Sequence, residues 1–234
     1  MFVFGHRGAA GHAPENTLQS IAAGMASGAD GIEIDVRLLE GELIVLHDER
    51  LERTTSGGGH YKAMRLADLR RLDAGNGQHI PLLAEVVTAV AGRAALNVEI
   101  KEAGIARQVV AALDALAPPA WQPEILLSSF DHATTAELAC VRGRMQLGVL
   151  YEGEFAPALS RAQALRAWSL HVPLADAGPV QVGAAHAAGL RVYVYTVNES
   201  DDIARCHAAG VDGLFSDHPG RVVAFNRGRA ALRA

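Results

Sequence analysis

The stretch Gly31-Ile32-Glu33-Ile34-Asp35-Val36 alternates apolar and acidic side chains, and Asn97-Val98-Glu99-Ile100-Lys101 repeats the pattern. Side chains two residues apart on a β-strand share a face, so the carboxylates lie on one face and the apolar side chains on the other. A carboxylate buried without a partner costs on the order of several kcal/mol. We therefore expect two buried strands whose acidic faces, bearing Glu33, Asp35 and Glu99, meet a cation.

Strand-like runs alternate with helical patterns along the rest of the chain, as expected of parallel β/α units. The eight strand candidates are Phe2–His6, Ile32–Val36, Leu96–Ile100, Ile125–Ser129, Met145–Leu150, Ser169–Val172, Val192–Val197 and Gly213–Ser216. Residues 28–35 and 210–217 are faintly similar to each other, which fits repeated helix–strand units. The pattern predicts an α/β fold, a TIM (β/α)₈ barrel, formed as a single domain by residues 1–234.

One segment breaks this alternation. Leu43–Asp48 follows the second strand after only Glu40-Gly41-Glu42, which is too short for the crossover that a parallel neighbour needs. We predict a hairpin that turns near Gly41 and brings His47 beside Asp35. From about residue 49 to residue 81 the pattern loosens and glycine runs appear, so we expect a small insertion over the barrel mouth.

Small and polar residues mark the expected helix ends. Gly28, Gly189 and Gly210 each follow a helical pattern, where a left-handed C-cap is common. Asn16 followed by Gln19 has the spacing of a capping box, which predicts that Asn16 caps the first helix.

The composition narrows the classes of function. A formal net charge of −5 at pH 7 argues against a nucleic-acid partner. The two cysteines, Cys140 and Cys206, have no CxxC spacing and fit a reducing compartment. The first apolar run is too short for a signal peptide or a membrane span, so we expect a cytoplasmic protein without stable membrane association. The sequence leaves open whether the protein is a homo-oligomer.

Barrels of this kind carry their catalytic groups at the carboxyl ends of the strands. The polar residues expected there are His6, Arg7, Glu33, Asp35, Glu99 and Lys101, with His47 joining them through the hairpin. Oxygen ligands without a nearby cysteine favour Mg²⁺, with Ca²⁺ or Mn²⁺ as alternatives. Basic side chains beside a metal suit a phosphate, and imidazoles suit proton transfer near neutral pH.

The same residues also allow a purely structural interpretation. Glu33 and Asp35 could form a network of ion pairs with Lys101 and Arg7, because ion pairs also occur inside barrels. His6 could be a core histidine whose ring nitrogens are satisfied by neighbouring groups.

Eight short motifs occur in order along nearly the whole chain. They are His6-Arg7-Gly8, Pro14-Glu15-Asn16-Thr17, Glu33-Ile34-Asp35-Val36, His47-Asp48, Glu99-Ile100-Lys101, Ser129-Phe130, Tyr195-Thr196-Val197-Asn198 and Ser216-Asp217-His218-Pro219. This ordered set resembles the glycerophosphodiester phosphodiesterase family. The resemblance implies a TIM barrel that hydrolyses a small-molecule glycerophosphodiester to an alcohol and sn-glycerol 3-phosphate.

The resemblance also implies a role for each site residue. Residues matching Glu33, Asp35 and Glu99 bind one divalent cation. Residues matching His6 and His47 act as general acid and base, and those matching Arg7 and Lys101 contact the phosphate. Tyr195 stands where the family usually has tryptophan, so an aromatic wall for the glycerol is kept with a different size. A cyclic phosphate is the expected intermediate, with direct attack by water as the alternative.

Two other functions remain compatible with the sequence. A related barrel phosphodiesterase of the phospholipase C or D type would act on intact phospholipid. A non-catalytic barrel would only bind a phosphorylated metabolite. Turnover of water-soluble diesters, of micellar substrate only, or of neither separates the three hypotheses.

Overall fold

A computed structural model describes residues 1–231 of the chain. Within these residues the strands are β1 (Phe2–Gly5), β2 (Gly31–Leu39), β3 (Glu42–Val45), β4 (Ala95–Ile100), β5 (Ile125–Ser129), β6 (Gln146–Leu150), β7 (Ser169–Pro173), β8 (Arg191–Tyr195) and β9 (Gly213–Ser216). The α-helices are α1 (Leu18–Ala26), α2 (Leu66–Leu69), α3 (Leu83–Val90), α4 (Ala106–Leu116), α5 (His132–Val141), α6 (Phe155–Ala164), α7 (Pro179–Ala187), α8 (Ser200–Ala209) and α9 (Pro219–Ala231). Over the same residues, no helix is both long and apolar enough to cross a membrane.

The parallel strands close into a cylinder. The order β1-β9-β8-β7-β6-β5-β4-β2 returns on itself because β1 also pairs with β2, where Phe4 is opposite Gly31. With helices around the strands, this is the predicted TIM barrel. The predicted strands are all present and differ only at their ends, most of all in β2, which continues to Leu39.

The predicted hairpin is confirmed. β3 pairs antiparallel to the end of β2, with Leu39 opposite Glu42 and Val36 opposite Val45. The chain then stays against β2, because the Leu46 amide donates to the Asp35 carbonyl at 3.0 Å. His47, the next residue, therefore reaches the barrel mouth beside Asp35.

The two faces of β2 have opposite surroundings. Ile32, Ile34 and Val36 are fully buried in the apolar layer between the barrel and its helices. Burial of each such side chain stabilises the fold by about 1.5–3 kcal/mol. The other face points into the barrel, and this leaves Glu33 and Asp35 on the interior side, as the alternation predicts.

Aromatic side chains fill the barrel below the acidic groups. The Phe4 ring stacks on Phe215 with a centroid distance of 4.9 Å and meets the edge of Tyr193 at 5.5 Å. Gly31 makes room for this layer, since a Cβ there would lie 2.5 Å from the Phe4 ring. The result is an aromatic plug formed by Phe4, Tyr193 and Phe215 that closes the lower half of the cylinder.

Residues 49–81 form a small layered excursion with its own core. Leu51, Tyr61 and Leu69 are fully buried and pack with Ile44 and Leu46 of the hairpin. The excursion contains α2 and a 3₁₀ turn at Tyr61–Ala63. That residues 1–234 form one domain with this insertion stays a prediction, and residues 232–234 lie outside the described part of the chain.

The first helix begins at a different residue from the one predicted. Thr17, not Asn16, caps α1, and its side chain accepts a hydrogen bond from the Ser20 amide at 3.2 Å. The glycine predictions are correct, because Gly28, Gly189 and Gly210 adopt positive φ angles of 83°, 76° and 85°. Asn16 does not cap the helix, and its side chain takes part in the site described next.

Candidate active site

A cavity of about 460 Å³ opens at the carboxyl ends of the strands. The residues lining it include most of the predicted site, namely His6, Arg7, Glu33, His47, Glu99, Lys101 and Tyr195. The remaining predicted residue, Asp35, lies next to them and pairs with Arg7 and Lys101. The structure therefore brings all of the sequence-predicted site residues together.

Within residues 1–231, one cluster of acidic side chains could hold a metal ion. It consists of Glu33, Asp35 and Glu99, which are buried and offer carboxylate oxygens within 4.8 Å of one another. Strand register explains the arrangement, because Asp35 on β2 lies directly opposite Glu99 on β4. We call this cluster the acidic triad. Its oxygen donors suit a divalent cation such as Mg²⁺, Ca²⁺ or Mn²⁺.

Two basic side chains neutralise part of the triad. Lys101 Nζ donates to Glu99 Oε1 at 2.6 Å and lies 3.6 Å from Asp35 Oδ1. Arg7 Nε lies 3.4 Å from Asp35 Oδ2. The ion pairs considered from sequence are therefore present at Asp35, which contacts both bases.

Glu33 is different. Its Oε2 accepts a hydrogen bond from the Arg7 backbone amide at 2.8 Å. Its Oε1 is buried and has no hydrogen-bond partner among the described residues. A buried carboxylate oxygen without a partner is expensive, so ion pairs within the protein do not account for this residue. The buried, partnerless Oε1 of Glu33 is the observation that best fits a bound cation.

The pKa values follow the same division. Burial, and next the charge of Asp35, raise the pKa of Glu33 to about 8. Burial likewise raises the pKa of Glu99, although Lys101 opposes it. For Asp35 the effect of burial is outweighed by Lys101 and Arg7, which lower its pKa. The triad is thus short of positive charge at Glu33 and Glu99.

Each predicted catalytic histidine is bound to an aspartate. His6 Nδ1 lies 2.7 Å from Asp217 Oδ1, and His47 Nδ1 lies 2.6 Å from Asp48 Oδ1. Hydrogen bonds from Arg53 lower the pKa of Asp48, and His6 and Asn198 outweigh burial to lower that of Asp217. Ionised carboxylates only accept, so each ring carries its proton on Nδ1 and keeps Nε2 for proton exchange.

The surroundings shift the two histidines in opposite directions. Burial opposes charging of His6, but the hydrogen bond to Asp217 and the charge of Glu33 raise its pKa overall. Burial lowers the pKa of His47, and the nearby charges of Lys101 and Arg7 add to this despite Asp35. The surroundings therefore favour the charged form of His6 and the neutral form of His47.

A tight turn after β1 places His6 and Arg7. Arg7 and Gly8 both have positive φ, 49° and 91°. The Gly8 amide donates to the Glu33 carbonyl at 3.2 Å, which ties the turn to β2. A Cβ on Gly8 would lie 2.4 Å from the Ser20 carbonyl carbon, so only glycine fits here.

Tyr195 forms part of the wall, as predicted, but its hydroxyl is already engaged. It donates to the Tyr151 carbonyl at 2.6 Å, which fixes the ring. The ring meets Phe130 edge to face at a centroid distance of 5.8 Å. Lys101 Nζ lies 5.6 Å from the centre of the Phe130 ring. The aromatic wall is therefore continuous with the basic side of the cavity.

Several supporting residues were missed or misassigned from sequence. Asn16, predicted as a helix cap, donates from its amide to Asp35 Oδ2 at 2.8 Å and accepts from the Asp35 amide at 3.2 Å. The side chains of Glu15 and Arg53 form a hydrogen-bonded ion pair although they are 38 residues apart in sequence, and no local sequence pattern predicts such a pair. Asp48 could have been assigned, because it directly follows His47.

The profile of the glycerophosphoryl diester phosphodiesterase family matches residues 6–221. The chain belongs to this family. Membership confirms the resemblance deduced from the motifs, and it confirms that the protein is an enzyme of the phosphodiester hydrolase class.

Curated relatives agree over nearly their full length. A glycerophosphodiester phosphodiesterase of Caldanaerobacter subterraneus subsp. tengcongensis is 32% identical over 231 residues, covering 93% of this chain and 94% of the relative. A glycerophosphodiester phosphodiesterase of Bacillus altitudinis is 33% identical over 238 residues, covering 94% of this chain and 96% of the relative.

A solved structure shows the same fold. The Oleispira antarctica phosphodiesterase, in complex with the product sn-glycerol-3-phosphate, superposes with a TM-score of 0.88 at 29% sequence identity. The match covers 100% of this chain and 97% of the other. A phosphodiesterase of this fold has thus been seen with sn-glycerol-3-phosphate bound.

Proposed function

We propose that this protein hydrolyses water-soluble glycerophosphodiesters to sn-glycerol 3-phosphate and an alcohol. The reaction uses one divalent cation bound at the acidic triad, and Mg²⁺ is the first candidate for this cation. The observation that carries the proposal is the partnerless buried Oε1 of Glu33, in a cavity that also holds two aspartate-bound histidines. The product seen in the Oleispira antarctica phosphodiesterase supports the choice of substrate.

The triad fits a hard cation on its chemistry. Glu33, Asp35 and Glu99 supply oxygen donors, and Glu33 has an oxygen free to coordinate. When bound, such a cation would neutralise charge on the phosphate and lower the pKa of a hydroxyl held next to it. Metal dependence is tested by the same assay as the activity, through addition of a chelator.

Arg7 and Lys101 are the groups proposed to hold the phosphate. Both lie on the cavity wall. Burial lowers the pKa of each side chain, but the nearby acids outweigh it and raise the pKa overall, which keeps both side chains charged. Positive charge that is fixed before the substrate arrives stabilises the extra negative charge that develops on the phosphoryl oxygens during transfer.

The opposite pKa shifts support opposite starting roles for the two histidines. His47, with its lowered pKa, begins as the base and accepts a proton on Nε2 from a glycerol hydroxyl. His6, with its raised pKa, begins as the acid and donates from Nε2 to the departing alcohol oxygen. Two groups whose surroundings move their pKa values apart are suited to opposite steps.

The proposed reaction has two balanced steps. In the first, the glycerol oxygen bonds to phosphorus while the bond to the alcohol oxygen breaks, giving a cyclic phosphate and the free alcohol. In the second, His6 takes a proton from water as the water oxygen bonds to phosphorus. The ring bond between phosphorus and the glycerol oxygen breaks, and His47 gives its proton to that oxygen. Asp217 and Asp48 hold the rings in place throughout.

A panel assay tests the proposal. The protein is incubated with glycerophosphodiesters of choline, ethanolamine, inositol and glycerol, with Mg²⁺, Ca²⁺, Mn²⁺ or a chelator, and release of glycerol 3-phosphate is followed. We expect release that stops when the chelator is added. Turnover of micellar phospholipid alone, or binding without turnover, would contradict the proposal.

A further inference from the structure

Arg53, on the excursion after the hairpin, bonds to two carboxylates at once. Its Nε and Nη2 donate to the two oxygens of Asp48 at 2.6 and 2.9 Å. Its Nη1 and Nη2 donate to the two oxygens of Glu15 at 2.7 and 2.9 Å. One edge of the guanidinium (Nε and Nη2) therefore binds Asp48 through two hydrogen bonds, and another edge (Nη1 and Nη2) binds Glu15 in the same way.

Both carboxylates also contact the proposed catalytic machinery. Asp48 Oδ1 lies 2.6 Å from His47 Nδ1. Glu15 Oε1 accepts from Arg7 Nη1 at 2.6 Å. A continuous chain of charged contacts therefore runs from His47 through Asp48, Arg53 and Glu15 to Arg7.

We infer that Arg53 is a positioning residue that fixes the side chains of His47 and Arg7 relative to each other. The inference rests on the proposed function, because it concerns the proton acceptor and the phosphate contact of that reaction. Arg53 itself does not line the cavity described above, so it acts through Asp48 and Glu15.

The backbone around Arg53 is well anchored. Leu51 is fully buried in the core of the excursion. The Thr55 amide and hydroxyl both bond to the Leu51 carbonyl, at 3.0 and 2.7 Å. The excursion therefore presents Arg53 from a fixed backbone, and this gives the insertion a function at the barrel mouth.

We expect loss of Arg53 to affect geometry more than stability. The Arg53 side chain is 49% exposed, and solvent weakens the contribution that ion pairs of such a side chain make to stability. Geometry is more sensitive, because misplacing a reacting group by about 1 Å can reduce turnover about 10²-fold. Lysine cannot replace this arrangement, since an ammonium lacks the planar two-edged fork.

The test compares Arg53→Ala, Arg53→Lys and a control, Arg50→Ala, in steady-state assays with a glycerophosphodiester and Mg²⁺. Arg50 lies on the same segment and pairs only with Glu52 in the described structure, at 69% side-chain exposure. We expect Arg53→Ala to lose about 10–10²-fold in kcat, with a smaller change in KM. Added guanidinium, below denaturing concentration, should restore part of that kcat, whereas Arg53→Lys should stay impaired and unresponsive. Arg50→Ala should match wild type.

The outcomes separate the two proposals. Wild-type turnover with an equally active Arg53→Ala would overturn the inference alone, and so would a fully active Arg53→Lys. A merely structural role would give a different combination of results. Arg53→Ala would melt well below wild type and regain no activity with guanidinium, while Arg53→Lys would be fully active. A wild-type protein without turnover would contradict the proposed function and the inference together.

Discussion

His6 and His47 have the same type of partner but different electrostatic surroundings. Each contacts an aspartate through Nδ1. At His6, burial is outweighed by the hydrogen bond to Asp217 and the charge of Glu33, whereas at His47 burial, Lys101 and Arg7 outweigh Asp35. An identical pair would compete for the same protonation state. At the scale of the single residue, this difference in surroundings underlies the opposite roles proposed for the two imidazoles.

Replacing either histidine tests this division of labour. His6→Ala and His47→Ala should each lower kcat by about 10²–10⁴-fold, the usual contribution of one acid–base partner, with substrate binding largely retained. Steady-state kinetics at several pH values measures both effects. Near-normal turnover in either variant would exclude that histidine from proton transfer.

Glu33 makes the cation-free protein sensitive to pH. Its pKa rises from 4.5 to about 8 on folding, so between these values the folded state holds a proton that the unfolded state has released. Stability must then fall as pH rises through this window, by about 1.4 kcal/mol per unit of pKa difference. Glu33→Gln should remove much of this decline, as measured by melting in chelator from pH 5 to pH 8.

The opposite result for Glu33 is equally clear. If the wild type and Glu33→Gln lose stability in parallel across that pH range, burial does not raise the pKa of Glu33. Burial raises the pKa of Glu99 in both proteins, whereas the contribution of Glu33 to the raised pKa of His6 is lost in Glu33→Gln. The comparison therefore measures Glu33 together with its effect on His6.

At the scale of elements, the turn after β1 and the β2–β3 turn form an informative pair. Gly8 and Gly41 both have positive φ, 91° and 86°. Only Gly8 is crowded, since a Cβ at Gly41 would meet nothing within 4 Å. The two positions therefore separate backbone strain from steric collision.

Alanine substitutions at these glycines should differ in size. Gly41→Ala should cost about 1–2 kcal/mol through the left-handed backbone alone. Gly8→Ala should cost a further 1–3 kcal/mol or so from the collision with Ser20, and it should lower activity by displacing His6 and Arg7. Chemical denaturation and kcat measure the two effects. Equal stability and activity in both variants would argue against the turn geometry described here.

The sequence predicts local elements better than long-range side-chain contacts. Alternation on β2 and β4 is a local signal, so the strands and the inward carboxylates were predicted correctly. The hairpin followed from loop length alone. Asn16 was misassigned because its spacing to Gln19 is that of a helix cap. In the structure its side chain instead makes a tertiary hydrogen bond to Asp35. The Glu15–Arg53 bond joins two distant loops, and it depends on how the excursion folds back over the mouth.

At the scale of the whole molecule, the site depends on closure of the barrel. His6 follows β1 and its partner Asp217 follows β9, so their contact forms only when the first and last strands pair. The triad similarly needs β2 beside β4. Binding at a site of this kind is linked to global stability, because the unfolded chain does not contain it.

A divalent cation should therefore stabilise the folded protein. At a concentration 100 times its Kd, it should add about 2.7 kcal/mol and raise the melting temperature. Glu33→Gln should lose most of this gain, whereas Glu42→Gln, which changes an exposed acid on β3, should keep it. A full cation response in Glu33→Gln would place the ion elsewhere.

The aromatic plug formed by Phe4, Tyr193 and Phe215 determines the route by which substrate enters and products leave the cavity. Molecules enter and leave through the rim, since the far end of the cylinder is filled with packed rings. A substrate anchored by its glycerol phosphate would then release the alcohol first, and sn-glycerol 3-phosphate would vacate the cavity last. Inhibition by that final product should be competitive with the diester, so accumulation of glycerol phosphate would slow the protein's own turnover.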